Sequence, residues 1–126
     1  MTFVIISHVV HKTACANYYA YGPYVREMNI WLKYVGKVII VAPTDIFIRP
    51  EPNDLPYEIQ NIQFLKIPQF DITGIKPALR TFFYLPLIIL RINRGIKKAD
   101  HIHIRCPGNV GLIGCFVQIF YPRKRK

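Results

Sequence analysis

Three short polar groups in the sequence have residue types and local settings suited to chemistry. Ser7, His8 and His11 follow the apolar run Phe3 to Ile6, Thr44 and Asp45 follow the run Val38 to Val41, and Arg105, Cys106, Pro107, Gly108 and Asn109 follow the alternating segment His101 to Arg105. The last group has the strongest physical case. A glycine at a helix entrance lets a ligand approach backbone N–H groups whose partial positive charge favours anions, and Arg105 adds a bidentate contact to a phosphate or carboxylate. The competing reading has Asn109 capping the helix and Arg105 in an internal ion pair. His8, at a strand end, reads as an acceptor-orienting or acid/base imidazole, or else as a loop histidine bonded to backbone.

Other candidates carry less. His8, His11 and Cys15 make a three-ligand set confined to one loop, with no second half, so no metal is expected. His101 and His103 share one face of a central strand and read as core histidines. Cys106 and Cys115 have no adjacent base and read as small buried residues. Arg80, Arg91, Arg94 and Lys98 share a face if one helix continues through Pro86. That face is either solvated or in contact with anionic lipid headgroups.

The elements that must position these groups follow from periodicity. Phe3 to Ile6 and Val38 to Val41 are β-branched runs without polar alternation, the pattern of parallel strands buried on both faces. Ile62 to Ile67 is a weaker strand candidate, and His101 to Arg105 alternates. Gly22-Pro23 opens a helix with proline at its first position; Tyr24, Val25, Met28, Trp31, Leu32 and Val35 form its stripe, and Gly36 stops it. A second helix is predicted from Pro77 to about Lys98, broken or kinked at Pro86, with Phe82, Phe83, Leu87, Leu90 and Ile96 as its buried residues. A third follows Pro107-Gly108-Asn109 toward Pro122 and carries Val110, Leu112, Ile113, Phe116, Val117 and Phe120. Thr44 to Tyr57, with Pro50, Pro52 and Pro56, reads as a surface loop. The expected fold is α/β, an open Rossmann-like, mostly parallel sheet with flanking helices, whose ligands bind at the carboxyl ends of the strands.

Composition agrees with one domain spanning residues 1–126. With 52% hydrophobic residues the chain is too apolar for intrinsic disorder. Three cysteines do not suggest a disulfide framework and point to a reducing compartment. No secretory signal is read at Thr2 to Ser7, and Phe82 to Leu90 is too short to span a bilayer, which needs about 20 residues. The net charge of +10 is uneven: residues 1–75 are neutral, while residues 76–126 carry eleven basic side chains and one acid, Asp100. Such asymmetry implies an anionic partner or surface. Dinucleotide-binding and P-loop glycine motifs are absent, and basic residues do not interleave with aromatics as in RNA-binding modules, so nucleic acid is not favoured.

The opening strand, Gly22-Pro23-Tyr24-Val25-Arg26-Glu27, the segment Gly36 to Pro43 and the segment Ala99 to Pro107 together resemble the amino-terminal half of group 1, family 4 glycosyltransferases. The resemblance implies the first of two Rossmann-like domains in a GT-B enzyme, the side that binds the acceptor. Many members carry an aspartate, a histidine three residues on and a second histidine two beyond it in the catalytic cleft. Asp100 and His103 match, and Arg105 stands at the second histidine, which a permanently charged guanidinium cannot replace chemically. With the rim residues above, the expected acceptor site is His8, Asp45, Arg105, Gly108 and Asn109, with Arg105 in the catalytic position. The family's paired glutamates, separated by seven residues, have no counterpart among Glu27, Glu51 and Glu58. The donor domain is therefore expected to be missing, and the domain to be incomplete. What the resemblance implies is the acceptor-side half of a retaining, nucleotide-sugar-dependent hexosyltransferase for polysaccharide or glycoconjugate synthesis. No cofactor is expected, and its location would be cytoplasmic, with peripheral contact at the inner face of the membrane. The alternative is a non-enzymatic basic α/β module that binds nucleic acid or anionic membrane.

Overall fold

The computed structural model describes residues 1–70 and 73–122. The basic run Arg123 to Lys126 lies outside them. Seven strands and three helices follow in the order β1 (Thr2–Ile6), β2 (His11–Ala14), β3 (Asn17–Tyr21), α1 (Gly22–Leu32), β4 (Lys37–Asp45), β5 (Asp54–Pro56), β6 (Ile62–Ile67), α2 (Ile75–Lys98), β7 (His101–Ile104) and α3 (Asn109–Gln118).

The centre is parallel. β4 lies between β1 and β6, and β1 pairs on its other side with β7. At its far end β4 turns to a different partner: Thr44 and Asp45 pair with β2, which forms an antiparallel extension with β3 and β5. The sheet is thus mixed, not the open, mostly parallel sheet expected. The reason is local. Cys15 and Ala16 both adopt positive φ, 48° and 63°, closing a two-residue hairpin whose left-handed turn matches strand twist. Most of the long loop expected after β1 is this hairpin, and β5 arises inside the expected Thr44 to Tyr57 loop by pairing with β3.

Alternation along the central strands builds two cores. Val4, Ile6, Ile39 and Val41 face α2 and α3, where they meet Ile88, Ile92 and Ile96. Phe3, Ile5, Val38 and Ile40 face α1, where they meet Tyr24, Val25 and Met28. Burial on both faces was the sequence expectation for β1 and β4, and it holds. Gly22 opens α1 because the chain crosses Asn53 closely there; a Cβ would lie 2.4 Å from the Asn53 carbonyl oxygen. α1 ends at Leu32, before Gly36, and its expected stripe residue Trp31 is exposed.

α2 runs through Pro86 as a single helix. Pro86 lies on the solvent side, where the carbonyl that loses its hydrogen bond is open to water. The buried stripe is Thr81, Ile88, Ile92, Gly95 and Ile96; of the residues expected there, Ile96 alone is fully buried, and Phe82, Phe83 and Leu90 point outward. On α3, Val110 and Val117 are buried while Leu112 and Phe116 are exposed, as is Phe120, which lies past the helix end. Among the described residues no helix is long and apolar enough to cross a membrane.

Candidate functional site

The carboxyl ends of β1, β4 and β7 open on one rim, and the loops there divide the expected site residues among three places. The first is a cleft of about 400 Å³ lined by His8, Pro43, Gln69, Phe70, Gly108 and Asn109. His8 is exposed and sits directly against the glycine turn; a Cβ on Gly108 would fall 2.5 Å from His8 Nδ1. Only glycine lets the imidazole occupy that position. Asn109 begins α3 without a side-chain cap, so the expected capping role does not apply. The uncapped first turn leaves its N–H groups without side-chain acceptors beside the cleft.

The second place adjoins the first through Gln69. Asp45, Thr44, Lys76, Arg80 and Tyr84 line a cavity of about 460 Å³. The Asp45 carboxylate accepts the Phe47 N–H at 2.9 Å, which shapes the turn after β4. The Arg80 guanidinium lies 5.9 Å from the centre of the Tyr84 ring. The two cations Lys76 and Arg80, contributed by the first turns of α2, make this cavity suitable for an anionic or hydroxyl-rich group. Spacing did not reveal it, because Asp45 on β4 and Lys76 on α2 reach one cavity only through the packing of α2 on the sheet.

Arg105 goes elsewhere. Its side chain crosses to the α1 face, 4.6 Å over the Tyr24 ring, and pairs with Glu27 at 3.6 Å. The ion-pair reading therefore holds for Arg105, and the structure separates it from His8, Gly108 and Asn109. β7 alternation sends His103 and Arg105 to the same side, away from the α3 turn. β7 is an edge strand, not a central one. His101 and His103 are half-buried and stack on Phe3 at ring separations of 4.9 and 6.1 Å. Desolvation is the main cause that lowers the His103 pKa. Asp100 accepts the Thr2 N–H at 2.7 Å, fixing the start of β7 to β1.

Beneath Arg105 lies a polar group that sequence reasoning missed. His11, expected in a loop, is fully buried in β2. Its Nδ1–H donates to the Val9 carbonyl at 2.8 Å, so Nε2 is the acceptor and takes the Tyr57 O–H, also at 2.8 Å. Burial lowers the His11 pKa to about 4, with the Val9 hydrogen bond opposing it. Burial raises the pKa of Tyr57, and Tyr24 beside it adds to the rise. The Tyr24 hydroxyl faces Tyr57 and Ser7, yet among the described residues it is the one buried side-chain polar atom without a hydrogen-bond partner. Lys12 completes this side with ion pairs to Asp54 at 2.7 Å and Glu51 at 3.1 Å.

With both His11 nitrogens committed, His8, His11 and Cys15 do not combine, and among the described residues no three His, Cys, Asp or Glu side chains gather as a metal set. Cys106 and Cys115 are exposed, not buried, with their sulfurs 4.0 Å apart. They lie in the rim turn and on the outer side of α3, neither of which faces the sheet.

No protein-family model matches the chain, and neither a curated protein nor a solved structure is found to match it.

Proposed function

We propose that the chain is the acceptor-side half of a retaining, nucleotide-sugar-dependent glycosyltransferase acting in polysaccharide or glycoconjugate synthesis, inactive without a donor-binding domain. The observation that carries this reading is the His8 imidazole set against the Gly108 turn, in a cleft at the carboxyl ends of parallel strands. Parallel strands one and four, β1 and β7, are neighbours, so the chain changes its direction of progress there. Ligands of α/β sheets bind at such points. In this reading His8 orients an acceptor hydroxyl and takes up its proton, while Gly108 and the first N–H groups of α3 hold a neighbouring oxygen or anionic substituent. Asp45, from the adjoining cavity, accepts further hydroxyl hydrogens. Arg105, engaged with Glu27, supports the α1 side.

The test is binding of methyl hexosides and methyl N-acetylhexosaminides by saturation-transfer NMR. His8→Ala should weaken binding about tenfold, the worth of one hydrogen bond. Gly108→Ala should do the same by displacing the imidazole, and Arg105→Ala should leave binding unchanged. Equal binding by the wild-type, His8→Ala and Gly108→Ala proteins would remove this cleft from the reading. The second reading, a basic binding module, is favoured by one specific observation, the charge on α2.

A further inference from the structure

We infer that the outer surface of α2, with α3 beside it, is a docking face for an anionic lipid bilayer. α2 carries three stripes at three- and four-residue spacing. One is the buried stripe through Ile88, Ile92 and Ile96. The second is apolar and faces away from the protein: Ile75, Leu79, Phe82, Phe83 and Leu90 are exposed, Phe82 by 69% and Phe83 by 77%. The third is Lys76, Arg80, Arg91, Arg94 and Lys98, about a third of a turn from each of the others. α3 packs on the same core and turns Leu112 and Phe116 outward, and Phe120 in the turn after it is exposed too. A folded protein rarely leaves contiguous apolar ridges of this kind uncovered.

Charge identifies the occupant. From residue 75 to 98 there is no acidic residue, and Lys76, Arg80, Arg91, Arg94 and Lys98 form no salt bridge among the described residues. A second copy of the chain docked symmetrically through this face would oppose like charges. Three of its seven acids are paired elsewhere, Glu51 and Asp54 with Lys12 and Glu27 with Arg105. A nucleic-acid duplex would use the cations and leave the phenylalanines in water. A bilayer with anionic headgroups uses both: Phe and Leu enter the acyl boundary while Lys and Arg side chains reach back to the phosphates. The inference is independent of the transferase reading, because vesicle binding and sugar binding are measured separately.

The test is sedimentation of the full chain with vesicles of phosphatidylcholine alone or mixed with phosphatidylglycerol. The expected result is pelleting with the mixed vesicles only, weakened by salt. Phe82→Ser with Phe83→Ser should reduce it about tenfold or more, with an unchanged circular dichroism spectrum because both side chains are exposed. Arg91→Gln and Arg94→Gln should each reduce it about fivefold. An orientation readout is independent of both: in a Trp31→Phe background, the indole introduced by Phe83→Trp should be quenched by brominated lipid, whereas native Trp31 on α1 should not. Equal or negligible pelleting with both vesicles overturns the inference. So does a soluble dimer abolished by the double serine variant, or salt-sensitive RNA binding without vesicle binding.

Discussion

The two faces of the sheet differ in how they satisfy their polar groups. On the α1 face, several charges are paired within the fold: Lys12 holds Asp54 and Glu51, Arg105 holds Glu27, and His11 is enclosed by Val9 and Tyr57. On the α2 and α3 face the core is aliphatic, and Lys76, Arg80, Arg91, Arg94 and Lys98 form no salt bridge among the described residues. The helix of the closed face comes from the neutral first part of the chain, and both helices of the open face come from the basic remainder. A polar network turned inward rigidifies a core, whereas cations beside exposed phenylalanines serve a contact with something else.

Paired substitutions on α2 sharpen this contrast most. Ile92→Ala, facing the sheet, should cost about 2–5 kcal/mol in urea unfolding through cavity formation, while Phe83→Ser on the same helix should change stability by less than about 0.5 kcal/mol. Similar losses for the two would show that the outer ridge is covered in solution. The pH dependence comes next in size. His11 has its folded pKa lowered from 6.5 to about 4, so the unfolded chain binds the proton first as pH falls. Stability is full above 6.5 and declines toward 4 by roughly 3 kcal/mol, a figure set by the depth of the shift. Urea midpoints across that range should follow this decline, and His11→Phe should flatten it. Tyr57→Phe should cost about 1–3 kcal/mol by leaving His11 Nε2 buried without a donor. Ala16→Gly should be the smallest effect and the one gain, about 1 kcal/mol, since glycine suits the left-handed turn; a loss in melting experiments would mean the hairpin turns differently.

The central strands were legible because β-branched runs without alternation have one good solution, burial on both faces, and β1 and β4 adopt it. The hairpin was not, since Cys15-Ala16 lacks the glycine or asparagine that marks such turns. Periodicity misled on α2 for a different reason: the helix has two apolar stripes, and spacing alone does not say which meets the sheet. The isoleucines at 88, 92 and 96 do. At the site, His8 and Gly108 were legible from their positions after β1 and β7. The partner of Arg105 was not legible, because Glu27 is distant in sequence and joins it only through the packing of α1 on the sheet. The buried His11–Tyr57 pair had no local signal at all.

Amide-resolved NMR during titration with methyl N-acetylhexosaminides and methyl hexosides tests the acceptor cleft most directly. Shifts concentrated at His8, Gly108 and Asn109, with Tyr24, Glu27 and Trp31 unmoved, are the predicted result. Shifts confined to the Arg105 and Glu27 side, or none with any sugar at saturating concentration, would contradict it.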